Sequence, residues 1–200
     1  MRTRRLRPIL FSLTICVLGF QTGVARSDPG LVIPAGTPDA LLTNAVSSFA
    51  EKPVKVVCGG DANSLFLGLT IDTTIWLNEP LVCKPVRRFA QGWRPREDHR
   101  NSGAQTLAHA ILTLTHEAIH AAGNTSEAQT ECFAIQRVPE MTEQLGEHRP
   151  LYIAAIEHKA LQWHKRLRGT ISLSGQPYSD QTRCRKDGRW DLTPDDGVWP

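Results

Sequence analysis

The stretch HEAIHAAGNTSEAQTECFA, residues 116–134, contains the polar pattern on which the fold and the chemistry of this chain depend. His116 and His120 are four residues apart with Glu117 between them, and Glu127 and Glu131 follow seven and eleven residues after His120. Residues four apart on an α-helix lie on the same face, one turn from each other. The two imidazoles can therefore converge on one point, with the glutamates of a following helix close by.

The two histidines belong to a segment, residues 104–122, that has the strongest helical pattern in the chain. An apolar stripe runs along it at spacings of four, three and four residues, formed by Leu107, Ile111, Leu114 and Ala118. Leu112 and Ile119 add apolar character on another side, so the pattern predicts a central and largely buried helix. Gly123 is the expected stop.

Two more helices are predicted C-terminal to this one. Ser126 and Gln129 fit a capping box, which starts a helix that we expect to end or kink at Pro139. A third helix is expected over Leu151–Leu167, because apolar residues recur along one of its faces.

The N-terminal half has shorter elements. A short helix is expected over residues 38–49, with Thr37 or Asp39 as its cap, and residues 84–103 are expected to form a surface loop or a helix. Runs rich in β-branched and apolar residues predict strands at Val54–Cys58, Leu65–Ile71 and Thr73–Leu77. Because the strands come early and the helices late, the order predicts an α+β domain. In this domain a small mixed or antiparallel sheet packs on the central helix, with further helices around it.

Residues 1–25 have the pattern of a secretory signal peptide. Four arginines precede an almost wholly apolar run from Ile9 to Phe20, and small residues, Gly23 and Ala25, occupy the two positions that a signal peptidase reads. The run has about a dozen residues, short of the ~20 that span a bilayer, so no stable membrane anchor is expected after cleavage behind Ala25. The chain is therefore expected to be secreted or periplasmic, by either the general secretory or the twin-arginine route.

The net charge gives no support for a polyanionic partner. The whole sequence has a formal charge of +3, and removing the four positive charges of the signal peptide's arginines leaves about −1. A chain without a net basic field is not expected to bind nucleic acid.

Cysteine usage agrees with export. Cys16 lies in the signal peptide, and an even number of cysteines remains, which is typical of an oxidising compartment: Cys58, Cys83, Cys132 and Cys184. Four cysteines allow three pairings, of which we expect Cys58–Cys83, around a β-rich unit, and Cys132–Cys184, between a helix and the tail. The alternative is four reduced cysteines.

The residues around His116 are those of a zinc site. Two imidazoles one helical turn apart can bind Zn²⁺, with one coordination position left open to water. Glu117 lies beside them on the helix, where it can take a proton from that water as general base during attack on a carbonyl. HExxH also occurs by chance, but here it lies on a strong helix, as its geometry requires.

Residues 104–137 resemble the HExxH zinc metallopeptidases whose third ligand is a glutamate on the next helix, the gluzincins, and in particular their minimal forms. In those forms the second helix reads E-x-x-A-[DN]-x-F-A, and residues 127–134 read EAQTECFA. Glu127 takes the ligand position, whereas Thr130 and Glu131 depart from the pattern, so Glu131 remains a second candidate for the third ligand.

The resemblance implies a minimal zincin-like fold and an exported zinc-dependent peptidase that hydrolyses peptide bonds in a peptide or protein substrate. It implies a zinc site made of His116, His120 and Glu127, with Glu117 as the catalytic base. It also implies an edge strand, Thr73–Leu77 or the strand before it, that holds the substrate in extended form by main-chain hydrogen bonds.

The expected organisation has four parts. A signal peptide is followed by a lead-in with a short helix (26–50), a zincin-like catalytic domain (51–170) and an irregular tail (171–200) that Cys184 tethers. Two other functions fit the same sequence. One is an exported zinc-binding module without catalysis, and the other is a disulfide-bonded binding domain without metal.

Four further histidines are expected to pack or to face solvent rather than to bind the metal: His109, His148, His158 and His164. His109 lies two helical turns, about 10 Å, before His116, which is too far for the same ion. Tyr152 and Tyr178 are the tyrosines that could donate to an oxyanion, and the sequence does not choose between them.

Overall fold

A computed structural model describes residues 35–61, 66–95, 102–166, 170 and 175–194. All of them belong to one compact unit, Ile33–Pro200. Within these residues the chain has four strands, five α-helices and a π-helical segment, so the predicted α+β class is confirmed. The predicted signal peptide lies outside the described residues.

The four strands form one mixed sheet. They are β1 (Gly36–Pro38), β2 (Lys55–Gly59), β3 (Gly68–Ile71) and β4 (Thr74–Asn78). Their order is β1-β2-β4-β3, with β2 and β4 parallel and the other two pairs antiparallel. β3 and β4 form a hairpin with Asp72 in its turn at φ 55°, between the two strands predicted at Leu65–Ile71 and Thr73–Leu77. β3 is thus at the edge of the sheet, and β4 is internal.

The first helix, α1 (Ala40–Phe49), packs in the same hydrophobic core as the strands and helices that follow it. Its cap is Asp39, whose side chain accepts a hydrogen bond from Leu42 N at 2.9 Å, so Asp39 rather than Thr37 is the capping residue. Val46 and Phe49 are fully buried, which holds α1 against the sheet and α4.

The segment after β4 is helical. A π-helical segment, Glu79–Cys83, leads directly into α2 (Lys84–Ala90). Val86 and Phe89 are completely buried although arginines lie between them. Of the two expected alternatives, a surface loop or a helix, residues 84–90 form the helix, because the two apolar residues, three apart, are enough to dock one face of a short helix.

The central helix, α3 (Ser102–Ala121), has the predicted position and burial. The four residues of its apolar stripe have no solvent exposure. α3 packs against α4 (Glu127–Gln144), against α5 (Pro150–Arg166) and against β3 and β4. Each fully buried leucine or isoleucine contributes about 1.5–3 kcal/mol, so this helix organises the core.

Pro139 does not end α4, which continues to Gln144. A proline inside a helix removes one hydrogen bond and costs about 3 kcal/mol. Met141 and Leu145, which follow it, are buried in the main core, so their burial offsets that cost. Of the two expected alternatives, an end or a kink at Pro139, the end is therefore wrong.

Both predicted disulfides are present. Cys58–Cys83 joins β2 to the π-helical segment, and Cys132–Cys184 joins α4 to the tail. Closing loops of 25 and 52 residues is worth roughly 3–4 kcal/mol each in the chain-entropy account. Two disulfides are typical of an oxidising compartment.

The described part of the tail, residues 175–194, has turns and bends but no helix. Trp190 is buried against Ala128 and Cys132, and its carbonyl accepts a hydrogen bond from Gln136 Nε2 at 2.9 Å. Leu192 N donates to the same Gln136 side chain at 2.7 Å. The tail is therefore fastened along α4 by packing and hydrogen bonds as well as by Cys184.

Among the described residues, no helix combines the length and the apolar character needed to cross a membrane.

Candidate metal centre

The turn that joins α3 to α4 brings the start of α4 against the end of α3. Gly123, at φ 114°, reverses the chain while its N–H donates to the His120 carbonyl at 2.9 Å. Ser126 then caps α4, and its side chain accepts from Gln129 N at 3.4 Å, as the capping-box pattern predicts. Glu127 is the first residue of α4 and therefore faces the last turn of α3.

The three predicted ligands meet at one point. Nε2 of His116 lies 3.0 Å from Nε2 of His120 and 3.1 Å from Oε2 of Glu127. The distance from His120 Nε2 to the same carboxylate oxygen is 3.4 Å. These three residues form a group whose donor atoms could hold one metal ion.

The other ring nitrogens of the two histidines are held by acceptors. Nδ1 of His116 lies 2.9 Å from Oε2 of Glu131, and Nδ1 of His120 lies 2.7 Å from the Asn124 main-chain oxygen. A carboxylate and a carbonyl only accept, so each Nδ1 carries a hydrogen, and in the neutral ring each Nε2 keeps its lone pair. Both lone pairs are thus directed toward Oε2 of Glu127.

Glu131 lies on the outer side of His116. Its Oε2 contacts Nδ1 of His116, and its Oε1 lies 3.4 Å from Nδ1 of His164. Burial raises the pKa of Glu131, but the hydrogen bonds from His116 and His164 outweigh burial and lower it to about 2. Glu131 therefore bridges two histidines as a carboxylate and stands outside the group of three converging atoms.

The converging atoms require a positive charge among them. Three acceptors within 3.4 Å of one another repel in a buried site unless a cation lies with them. Burial lowers the pKa of His116, but its hydrogen bonds to Glu127 and Glu131 outweigh burial and raise it to about 10. Burial raises the pKa of Glu127, but His116 and His120 lower it to about 2. The site thus favours a bound cation, either a proton or a metal ion.

Glu117 is held by the edge strand. It is buried, and the hydroxyl of Thr70 donates to its Oε2 at 2.6 Å and lies 3.1 Å from its main-chain oxygen. Gly68, two residues earlier on β3, lies so close that a Cβ there would be 2.5 Å from Glu117 Cγ. Burial raises the pKa of Glu117, opposed by His116 and by the Thr70 hydrogen bond. A carboxylate with a raised pKa is suited to act as a general base.

A cavity of about 280 Å³ opens beside these groups. It is lined by His116, Glu117 and Glu131 on one side. Tyr178 of the tail also lines it, with its ring centroid 6.0 Å from that of His116, and Gln176 accepts from Glu127 N at 3.4 Å. The tail therefore reaches the site, whereas Tyr152 stacks on Phe89 in the core, away from the cavity.

The other histidines within the described ranges do not join the converging group. His109 stacks on Trp163 with ring centroids 3.8 Å apart, and it lines the cavity. His148 is exposed, and His158 is exposed and contacts Gln162. His164 is buried against Glu131, as described above.

A second cluster of residues of metal-binding types includes the Cys58–Cys83 disulfide. Cys58, Cys83 and Glu79 lie close together, but the two sulfurs are bonded to each other. A disulfide offers no thiolate to a metal.

Sequence reasoning missed the groups that hold the motif in place. Thr70 and Gly68 come from β3, and Asn124 contributes a main-chain atom that no residue pattern identifies. The β-rich pattern of Leu65–Ile71 predicts a strand but not which helix it touches.

Comparison of the chain with protein-family models, with curated proteins and with solved structures gives no match. The resemblance of residues 104–137 to the gluzincins therefore remains a hypothesis that rests on the motif and on the geometry described above.

Proposed function

We propose that this chain is an exported zinc-dependent peptidase, with zinc bound by His116, His120 and Glu127 and with Glu117 as general base. The observation that carries the proposal is the convergence of the two Nε2 atoms and Glu127 Oε2 within 3.4 Å, with both Nδ1 atoms hydrogen-bonded to acceptors.

The donor set fits zinc. Two neutral imidazoles and one carboxylate are a typical set for a catalytic zinc ion, which keeps one further coordination position for water or substrate. Oxygen-preferring Mg²⁺ or Ca²⁺ would not be expected at a site with two nitrogens. When bound, zinc supplies Lewis acidity, which lowers the pKa of water and polarises a carbonyl group.

The chain's own groups supply the proton transfer. Glu117 is adjacent to His116 on the helix surface and lines the cavity, so its carboxylate can accept a proton from attacking water. The Thr70 hydroxyl fixes one carboxylate oxygen and so limits the orientation of the other. Tyr178 is the tyrosine at the cavity that could donate to the developing oxyanion.

The sheet supports a position for an extended substrate. β4 is paired on both sides, by β2 and by β3, so Thr73–Leu77 is not the edge strand that the resemblance implies. β3 is at the edge, and it carries Gly68 and Thr70, the residues in contact with Glu117. A peptide paired with β3 would run past the general base.

Two geometric facts weigh against the alternative functions. A binding domain without metal requires no convergence of His116 and His120, whereas their Nε2 atoms lie 3.0 Å apart. A zinc-binding module without catalysis requires no cavity beside the metal, whereas one of about 280 Å³ is lined by Glu117.

Metal content and peptide hydrolysis, measured on the purified chain and two variants, test this function. Wild type is expected to bind one zinc per chain and to cleave a peptide library, with loss of cleavage after chelation and recovery with zinc. Glu117→Gln is expected to keep zinc and lose cleavage, because the amide accepts no proton. His120→Ala is expected to lose both.

Glu140→Gln is the matched control, because Glu140 lies on the surface of α4 in a salt bridge with Arg137. It should behave as wild type. Equal cleavage by wild type and Glu117→Gln would contradict the catalytic role, and a wild-type chain without zinc would contradict the metal site.

A further inference from the structure

The cavity beside Glu117 extends away from the zinc-binding atoms along the preceding turns of α3. Leu112 and Thr113 line it from α3, Phe66 and Leu67 from the segment that enters β3, and Trp163 from α5. Leu112 is one turn before His116, on the same face of the helix. The far wall of the cavity is therefore apolar and aromatic, and it begins next to the groups of the proposed chemistry.

The charged groups that line the cavity already have partners. The two oxygens of Glu131 lie at His116 and His164, and Glu117 accepts from Thr70. No lysine or arginine lines the cavity among the described residues. A basic substrate side chain would lose its hydration and compete with the attacking water for Glu117, and an acidic one would meet two carboxylates.

The titratable groups on the remaining walls are neutral at neutral pH. Burial lowers the pKa of His109 to about 4, opposed by the charge of Glu131, and the ring stacks on Trp163. The Tyr178 ring, whose centroid lies 6.0 Å from that of His116, adds a second uncharged aromatic face. These walls of the cavity therefore present flat, uncharged ring surfaces to a bound side chain.

We propose that this cavity receives one large apolar side chain of the substrate, aromatic or leucine-like, next to the bond that is cleaved. This inference rests on the peptidase function proposed above. At about 280 Å³ the cavity lies below the ~300–1,000 Å³ typical of pockets for whole ligands, so it suits a single side chain. Stacking surfaces such as the Trp163 and Tyr178 rings favour an aromatic partner.

A set of peptides that differ at one position tests the proposal. The residue next to a cleaved bond, identified by mass spectrometry, is varied as Phe, Leu, Ala, Lys and Glu. We expect kcat/KM to fall at least about tenfold from Phe or Leu to Ala, since even one methylene in an apolar pocket can change kcat/KM about tenfold. The Lys and Glu peptides are expected to be poorer still.

Two variants change the cavity in opposite directions. Trp163→Ala enlarges it and is expected to reduce the Phe-to-Ala ratio at least about fivefold, whereas Thr113→Leu narrows it and should shift the preference from Phe toward smaller side chains. Trp93→Ala is the control, because Trp93 packs under Arg88 and does not line the cavity. Zinc content is measured for each variant and should be unchanged, since neither Trp163 nor Thr113 contacts the zinc-binding atoms.

The proposal and the proposed function fail in different ways. Cleavage without preference at the varied position, a preference for Lys or Glu, or variants that leave the Phe-to-Ala ratio unchanged would overturn the assignment while leaving a peptidase. If no peptide is cleaved, the peptidase function fails. Binding of the same peptides to the zinc-loaded chain then tests whether the cavity receives a large apolar side chain. Tighter binding of the Phe peptide supports it, and equal binding of all five overturns it.

Discussion

The main-chain oxygen of Asn124 accepts a hydrogen bond from Nδ1 of His120 at 2.7 Å. Because a carbonyl cannot donate, this contact holds the hydrogen of the imidazole on Nδ1 and leaves the Nε2 lone pair directed at Glu127. Asn124 belongs to the turn that ends α3. The same turn that returns the chain to form α4 therefore also sets which nitrogen of His120 is free to bind an ion.

Glu131→Gln is expected to weaken zinc binding by about 10- to 100-fold without abolishing it. The amide oxygen can still accept from His116 Nδ1 but carries no charge, so the ring becomes a weaker and less well oriented ligand. Competition with a chelator of known affinity measures the change. Complete loss of zinc, as expected for His120→Ala, would instead make Glu131 a ligand, and unchanged affinity would remove any role for it.

Thr70→Val is expected to lower kcat/KM by about 10- to 100-fold with zinc content unchanged. Valine has nearly the shape of threonine, so the main change is the loss of a hydrogen bond to a buried carboxylate, worth about 1.5–3 kcal/mol. Thr70→Ser keeps a hydroxyl and should recover most of the rate. Equal rates for the valine and serine variants would show that the hydroxyl does not orient Glu117.

Glu147→Gln is expected to lower the free energy of unfolding at pH 7 by about 2–3 kcal/mol. Glu147 is buried just before the start of α5, where it accepts from Arg149 and from Arg94 Nε at 2.7 Å. The Arg149 hydrogen bonds, helped by Arg94, hold the pKa of Glu147 well below its ordinary value despite burial. The stabilisation is therefore complete above about pH 5 and is lost as the pH falls through the acid range.

Urea unfolding at several pH values between 7 and 3 measures this effect, with a chelator present so that metal loss does not contribute. The gap in stability between wild type and Glu147→Gln should narrow as the pH falls. Glu143→Gln, an exposed change on α4, is the control and should track wild type throughout. A gap that stays constant down to pH 3 would contradict the role assigned to the ionised carboxylate.

Replacing Cys132 and Cys184 together by alanine is expected to release the tail and to keep zinc, since the proposed ligands lie on α3 and α4. Unfolding should become easier by about 2–5 kcal/mol, and residues 175–194 should become sensitive to protease. KM should rise, because Tyr178 would leave the cavity wall. The double alanine variant of Cys58 and Cys83 should lose stability but keep the tail protected. A tail that resists protease equally in both variants would show that its packing through Trp190 is sufficient.

Much of the fold could be predicted because its signals are local. The helical period of residues 104–122, the cap at Ser126 and the apolar runs of the strands each depend on neighbours within one or two turns. Burial decides two choices that the sequence leaves open. Pro139 favours a helix end, and the arginines of residues 84–90 favour a loop, but burial of Met141, Leu145, Val86 and Phe89 outweighs both preferences.

The pairing of the two imidazoles follows from residue spacing alone, because a four-residue spacing on a helix fixes their common face whatever surrounds it. Spacing could not separate Glu127 from Glu131, which are also four apart on one helix face. Only the packing of α4 against α3 places the Glu127 carboxylate at the two Nε2 atoms and the Glu131 carboxylate at Nδ1 of His116. Three further contacts also depend on how the elements pack: the hydrogen bond from Thr70 to Glu117, the one from His120 to the Asn124 carbonyl, and the position of Tyr178 beside His116. Residue spacing along the chain does not predict contacts between separate elements.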